Sequence, residues 1–364
     1  MIVRLQASWE IRETVEGILE LSSSILGKKF GIKPTHPSTF LFLQSLKEGL
    51  RYPDDLPMAS EKFGIEENVL DTMIAKLKIQ GLIIECDSKP HSPQNTLYDR
   101  QIRFFRSFEK QNRSGEQLNT ELQDCTVLIV GLGGYGSWTA LLCARIGIRN
   151  IIGVDFDCVE VSNLHRQILY DRTDLGQLKI KACEKKIGEC DPDVNFIGHC
   201  LQVTTPDNLY GLIEKANLVF NPFSYLPIYK AVDHPAGIVA RAALAMNKPC
   251  LTFGGSWIGP LTHGEETPCY FCAIQALSAH SGLDPDSRNP FIQKRAFAPP
   301  IAACCSLAVF EASRFLSGCD QPQTLTGIMQ LDILSFSNSR FLPVQRSEEC
   351  AFCPSYVTQS MRCQ

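Results

Sequence analysis

Apolar residues recur along this chain at two spacings, and the changes between them mark its elements. Over Glu16-Gly17-Ile18-Leu19-Glu20-Leu21 they alternate, which predicts short strands. A helical spacing runs from Ser38 through Leu41, Leu43 and Leu46 and stops near Gly49. A second helix is expected from Asn68 as its cap, through Leu70, Met73, Ile74 and Leu77, to Gly81. Leu82-Ile83-Ile84-Glu85 reads as a strand. Helix, turn, helix and strand in this order predict a winged-helix-like domain over residues 1–95. Asp87, Ser88, Pro90, Ser92 and Pro93 then give residues 86–94 the composition of a linker.

Beyond the linker, in residues 96–364, the pattern becomes that of an α/β domain. The apolar run Val127-Leu128-Ile129-Val130 breaks into Gly131-Leu132-Gly133-Gly134-Tyr135-Gly136. An Ala-rich apolar segment follows to Ile148, then Ile151-Ile152-Gly153-Val154-Asp155. Strand, glycine turn, helix, strand and a terminal acid predict a Rossmann-like βαβ unit in a mainly parallel sheet, and with it a nucleotide site. The glycines let backbone amides approach phosphate oxygens at a helix N-terminus, and Asp155 stands where ribose hydroxyls are gripped. On these features alone a nicotinamide or flavin dehydrogenase fits equally well.

The following loop favours a different chemistry. Asp155-Phe156-Asp157 leads to Asn163-Leu164-His165-Arg166-Gln167 and then to Gly176-Gln177-Leu178-Lys179. Cations in such a loop suit an enzyme that cleaves a triphosphate, where charge builds on the phosphates in the transition state.

Charge narrows the use of the small domain. Winged helices commonly read DNA, and a duplex binder should be basic. Residues 1–95 instead carry 11 Lys and Arg against 13 Asp and Glu. A structural add-on and a peptide-docking domain, capturing an extended chain along a strand edge, remain, and docking is the expectation. The whole chain has a net charge of −4, so nothing global points to a nucleic-acid or membrane partner. With no signal-peptide pattern at Met1-Ile2-Val3-Arg4-Leu5, a cytoplasmic location is expected. There the 16 cysteines belong to the core or to metal rather than to disulfides. Cys269-Tyr270-Phe271-Cys272 and Cys350-Ala351-Phe352-Cys353 are two CxxC pairs, about eighty residues apart, that together predict a Cys₄ structural zinc site. Cys304 and Cys305 lie in an apolar helical run and are expected in the core.

Taken together, the Gly-x-Gly-Gly-x-Gly turn, the Asp-x-Asp pair, Asn-Leu-x-Arg-Gln and Gly-Gln-x-Lys resemble the core of ubiquitin-activating-type (ThiF/MoeB-like) adenylyltransferases. Tyr98-Asp99-Arg100-Gln101 is similar to that family's Tyr-x-Arg-Gln motif. The resemblance implies ATP bound by Gly131, Gly133, Gly134, Gly136, Asp155, Asp157 and Gln167. It gives catalytic neutralisation to Asn163, Arg166 and Lys179, with Arg100 arriving from the other protomer of a homodimer. It also implies a magnesium-binding Asp after the strand at Leu218-Val219-Phe220. Asp233 is the candidate if residues are inserted there, and a gapless match would leave Ser224 in its place.

Family members that pass the acyl group to an enzyme thiol carry a cysteine between the zinc half-sites. Residues 273–303 contain none. With the extra N-terminal domain, this resembles the peptide-maturing branch of the family, in which the small domain clamps a leader peptide. Arg295-Ala296-Phe297-Ala298-Pro299-Pro300 is similar to the microcin C type, which attaches a nucleotide at a C-terminal residue. The pantocin A type activates a glutamate side chain that cyclises, and this outcome is the one favoured here. A sulfur-carrier-activating enzyme, acting on a small protein ending in Gly-Gly, and a non-catalytic peptide- or nucleotide-binding scaffold are the alternatives.

Overall fold

The computed structural model describes residues 1–86, 97–110, 113–223, 232, 234–281, 296–347 and 350–353. They form two compact units, Met1–Thr120 and Glu121–Gln364.

The first unit begins with β1 (Ile2–Leu5), β2 (Glu10–Glu13), β3 (Leu19–Ser23) and β4 (Lys28–Ile32). Then come α1 (Thr39–Ser45), β5 (Leu50–Arg51), α2 (Leu56–Phe63), α3 (Glu67–Ile79) and β6 (Ile83–Cys86). Strand β1 lies between β5 and β6, antiparallel to both, while β2, β3 and β4 make a separate antiparallel sheet. Leu19 and Leu21 point inward from β3 and share a core with Trp9, Phe42, Leu70 and Ile74. The expected helices and closing strand are present, with two differences. Helix α3 is capped at Glu66, so Asn68 lies inside it. Helix α2 has no counterpart in the expected pattern, although Pro57 at its start and Gly64, left-handed at φ 66°, at its end are ordinary helix signals. Helix α4 (Asp99–Phe105) follows the linker and carries Arg100. Arg4 and Glu109, both buried, form an ion pair within this unit.

Helix α5 (Gly115–Gln123) leads to the second unit, whose sheet starts with β7 (Thr126–Val130), α6 (Gly134–Arg145) and β8 (Asn150–Val154). It continues through α7 (Lys179–Cys190), β9 (Asn195–His199), α8 (Tyr210–Ile213), β10 (Leu218–Asn221) and α9 (Pro235–Ala245). The remaining elements are β11 (Cys250–Gly254), β12 (Trp257–Thr262), α10 (Tyr270–Ser281), α11 (Ala298–Ser317), β13 (Gly327–Gln330) and β14 (Arg340–Pro343). The strand order is β14-β13-β12-β11-β10-β7-β8-β9. Strands β11, β10, β7, β8 and β9 run parallel, and β12, β13 and β14 extend the sheet antiparallel. Parallel strands are covered on both faces, which is why Val127, Leu128 and Ile129 are fully buried in succession.

Among the described residues α11 is the one helix long and apolar enough by composition to cross a membrane, but it packs on α6 and β11. Cys304 and Cys305 are buried on it, as expected.

The order of the sheet reverses between β7 and β10. A crevice therefore opens beyond the carboxyl ends of these strands, where open α/β sheets bind ligands.

Candidate active site

A cavity of about 280 Å³ occupies that crevice. It is bounded by Gly131, Gly133, Gly134 and Gly136 on one side and by Asp155, Asp157 and Lys179 on another, so most of the expected nucleotide residues meet there.

The three positions of the Gly-x-Gly-x-x-Gly skeleton need glycine for different reasons. Gly131 leaves β7 at φ +94°, a left-handed conformation that side chains resist. A Cβ on Gly136 would lie 1.8 Å from the carbonyl oxygen of Gly131, so the first turn of α6 seats only on a glycine. At Gly133 a Cβ would meet nothing nearer than Gln167 Nε2 at 3.9 Å. Protein packing therefore does not require glycine there, and its bare Cα leaves the approach to the turn open.

Asp155 follows β8 and holds the turn. Its Oδ2 accepts the Leu132 N–H at 2.7 Å and its Oδ1 the Asp157 N–H at 2.8 Å. The carboxyl is 8% exposed, and burial raises its pKa above the usual carboxylate value, against the opposing pull of Lys179. Lys179, the first residue of α7, places Nζ 2.7 Å from Asp157 Oδ2 and 4.0 Å from Asp155 Oδ1. Its stem is buried while its ammonium reaches the carboxylates at the cavity wall.

The polar loop supports this frame from behind. Asn163 is buried, and its Oδ1 accepts the Glu160 N–H at 3.1 Å, closing the turn that precedes Arg166. The Arg166 guanidinium donates to the Ser162 carbonyl, its carbonyl accepts the Trp138 indole N–H at 3.1 Å, and its Cδ lies beside Gly134. Gln167 is buried near Gly133, and its Oε1 has no partner among the described residues. A free acceptor, an ammonium and an open glycine turn are what a polyphosphate nucleotide with ribose hydroxyls needs, so the residues fit the group.

Asn163, Arg166 and Gln167 do not line the cavity itself. Arg100 belongs to the first unit and is exposed. Asp233, the magnesium candidate, and Ser224, its alternative, lie outside the described residues. Just beyond Asp233, His234 caps α9 by accepting the Ala236 N–H on Nδ1 at 3.1 Å. Burial pushes its pKa down to about 4, so it is neutral at physiological pH and keeps its proton on Nε2.

The pattern along the chain gave no sign of two other contributors. The Tyr170 hydroxyl donates to the Leu132 carbonyl at 2.8 Å and pins the glycine turn from below. Phe223, just after β10, lines the cavity and brings its ring to 3.3 Å from where a Cβ on Gly131 would stand. Their partners are distant in sequence, so no local motif announces them.

Away from the cavity, Cys269, Cys272, Cys350 and Cys353 converge, all buried, with their sulfurs within 4.8 Å of one another. The Cys269–Cys272 and Cys269–Cys350 separations are 3.7 Å and Cys272–Cys353 is 3.6 Å. A zinc ion at about 2.3 Å from each sulfur would set tetrahedral edges of about 3.8 Å, so the cluster matches a closed Cys₄ site. The Ser347 N–H donates to Cys272 Sγ at 3.4 Å, and the Phe271 and Phe352 rings stack at 3.7 Å beside the cluster.

A Rossmann-like sheet with this turn, Lys179 and a Cys₄ cluster defines an ATP-dependent adenylyltransferase. The chain belongs to the ThiF family, whose profile matches residues 98–352. Among curated relatives, the sulfur carrier protein ThiS adenylyltransferase of Escherichia coli K12 is 28% identical over 241 residues, 64% of this chain and 87% of that protein. Among solved structures, E. coli MccB with AMPCPP and MccA superposes with a TM-score of 0.76 at 19% identity, over 97% of this chain and 100% of that one. PaaA is similar in fold as well, with a TM-score of 0.69 at 21% identity over 93% of this chain and 99% of that one.

Proposed function

We propose that this protein uses ATP and Mg²⁺ to adenylate a carboxylate of a ribosomally made precursor peptide, and that a nucleophile on the same peptide consumes the adenylate. The favoured carboxylate is a glutamate side chain, and the favoured product is cyclic. The first unit carries this reading. The likeness to MccB, a protein solved with AMPCPP and MccA, extends over 97% of the chain. The ThiS adenylyltransferase, by contrast, aligns with 64% of it. An added unit with small sheets and open strand edges suits capture of an extended leader segment. The lack of cysteine in residues 273–303 removes the expected thiol for an enzyme thioester and leaves direct capture.

In this scheme the substrate carboxylate attacks the α-phosphorus, the bond to the bridging oxygen breaks, and pyrophosphate leaves. Lys179 and Arg166 offset the charge that develops, Asn163 and Gln167 shape the loop around it, and Asp155 and Asp157 hold the ribose side. Arg100 completes the site from the partner of a homodimer, and Asp233 would hold a magnesium ion, which would screen charge on the phosphates. Zinc in the Cys₄ cluster is structural.

Co-incubation with ATP and a short peptide encoded beside this protein's gene, read by mass, tests the proposal. Loss of water supports cyclisation, and a gain of nucleotide supports C-terminal attachment of the microcin type. The relationship to the ThiS adenylyltransferase favours one second reading, activation of a carrier ending in Gly-Gly. Pyrophosphate exchange supported by such a carrier, but not by glutamate- or asparagine-rich peptides, would establish it instead. Lys179→Ala should lower ATP consumption by about 10²–10³-fold; a variant that consumes ATP normally would rule out this catalytic assignment.

A further inference from the structure

Two buried cores meet in the second unit. One lies against the parallel strands and includes Val130, Val154 and Val219. The other surrounds the four cysteines and includes Ala236 and Ala240 of α9. Among the described residues, Phe223 is the one side chain packed against both. It also lines the nucleotide cavity, lies over Gly131, and meets the His234 ring edge-on at a centroid distance of 6.3 Å.

Its backbone is anchored on the same path. The Asn221 side chain, fully buried, donates to the Ala236 carbonyl at 2.9 Å and to Thr252 Oγ1 at 3.1 Å. The end of β10 is thereby tied to the first turn of α9 and to β11. A change in the cysteine core that shifts α9 must move Phe223, because close-packed interiors pass displacement on instead of absorbing it.

We infer that Phe223 is a positioning residue that couples the Cys₄ site to the nucleotide cavity, so that metal in one and ATP in the other stabilise each other. The inference rests on the ATP reading of the cavity. Such coupling is reciprocal, so it is readable from the metal side without any peptide substrate. The ring holds the wall of the cavity beside Gly131 when the cysteine core is closed, and ATP seated against that wall holds the core closed in turn.

The test uses the purified, metal-containing protein and a chromogenic chelator, pyridylazoresorcinol, which reports metal loss. Saturating ATP should slow metal loss from the wild type by roughly fivefold or more. In Phe223→Ala the protection should fall below about twofold, while Phe223→Tyr keeps it. Phe223→Leu serves if the alanine variant does not fold, and should show reduced protection and weaker ATP binding by calorimetry. Full protection in Phe223→Leu or Phe223→Ala overturns the coupling. A wild type that binds ATP by calorimetry without any protection also overturns it, while the ATP reading stands. A wild type that binds no ATP overturns both.

Discussion

At the glycine turn, single atoms decide which substitutions the fold or the ligand would reject. A methyl group on Gly136 collides with backbone that has nowhere to go, since Gly131 O lies at 1.8 Å from the Cβ position. Gly136→Ala should therefore fail to accumulate as folded protein or melt about 10 °C or more below the wild type. Gly133→Ala should keep its melting temperature within about 2 °C and weaken ATP binding by about an order of magnitude, because the nearest protein atom to its side chain would be Gln167 Nε2 at 3.9 Å, an ordinary contact. Thermal melts with calorimetric titration of both variants separate these outcomes, and a Gly133→Ala that binds ATP normally would remove the phosphate-approach role. The sequence contained this turn in full but not the division of labour within it. Spacing identifies the motif; whether packing or a ligand requires each glycine appears only when Gln167, Gly131 O and Phe223 are placed around it.

Helix α9 shows how an element acquires properties that its residues lack alone. It starts at Pro235. The start depends on a histidine cap, which is outside the usual Ser, Thr, Asp and Asn set. Capping also fixes the chemistry of His234. Its pKa is depressed to about 4, so the unfolded chain binds a proton that the folded one refuses between pH 6.5 and 4. Stability tied to this residue is therefore complete near neutral pH and is lost as the pH falls, by about 3 kcal/mol at pH 4. Asn in its place keeps a cap acceptor but does not titrate. Denaturant unfolding of wild type and His234→Asn at pH 7 and pH 4.5 should show the variant losing less stability on acidification, and equal losses would contradict the neutral, buried assignment. Helix α3 illustrates the opposite limit: Leu70, Ile74 and Leu77 face inward as their spacing predicts, while the helix is capped at Glu66 and not at Asn68. Burial fixes the face of a helix more firmly than its end.

For the whole molecule, the Cys₄ cluster links α10 to the segment after β14 and so joins positions 81 residues apart. Metal analysis should find one zinc per chain. Cys353→Ser should lose it and lower the melting temperature by about 10 °C, and a variant equally stable without metal would refute a structural ion. The α/β class, the mainly parallel sheet and the cysteine set were legible because each rests on a strong local signal. The antiparallel extension through β12, β13 and β14 was not, since short strands near Gly259 and Gly327 carry little pattern. A last consequence follows from the strand order. Strand β7 carries the glycine turn, yet its neighbour β10 comes far later, and the Thr126 N–H waits for Asn217 Oδ1, 91 residues on, at 2.7 Å. While the ribosome is still making the stretch between them, one flank of β7 is a bare, oily edge without a mate. The newborn chain must keep that edge from sticking to others, with help from chaperones or by speed, until β10 emerges and the crevice first exists.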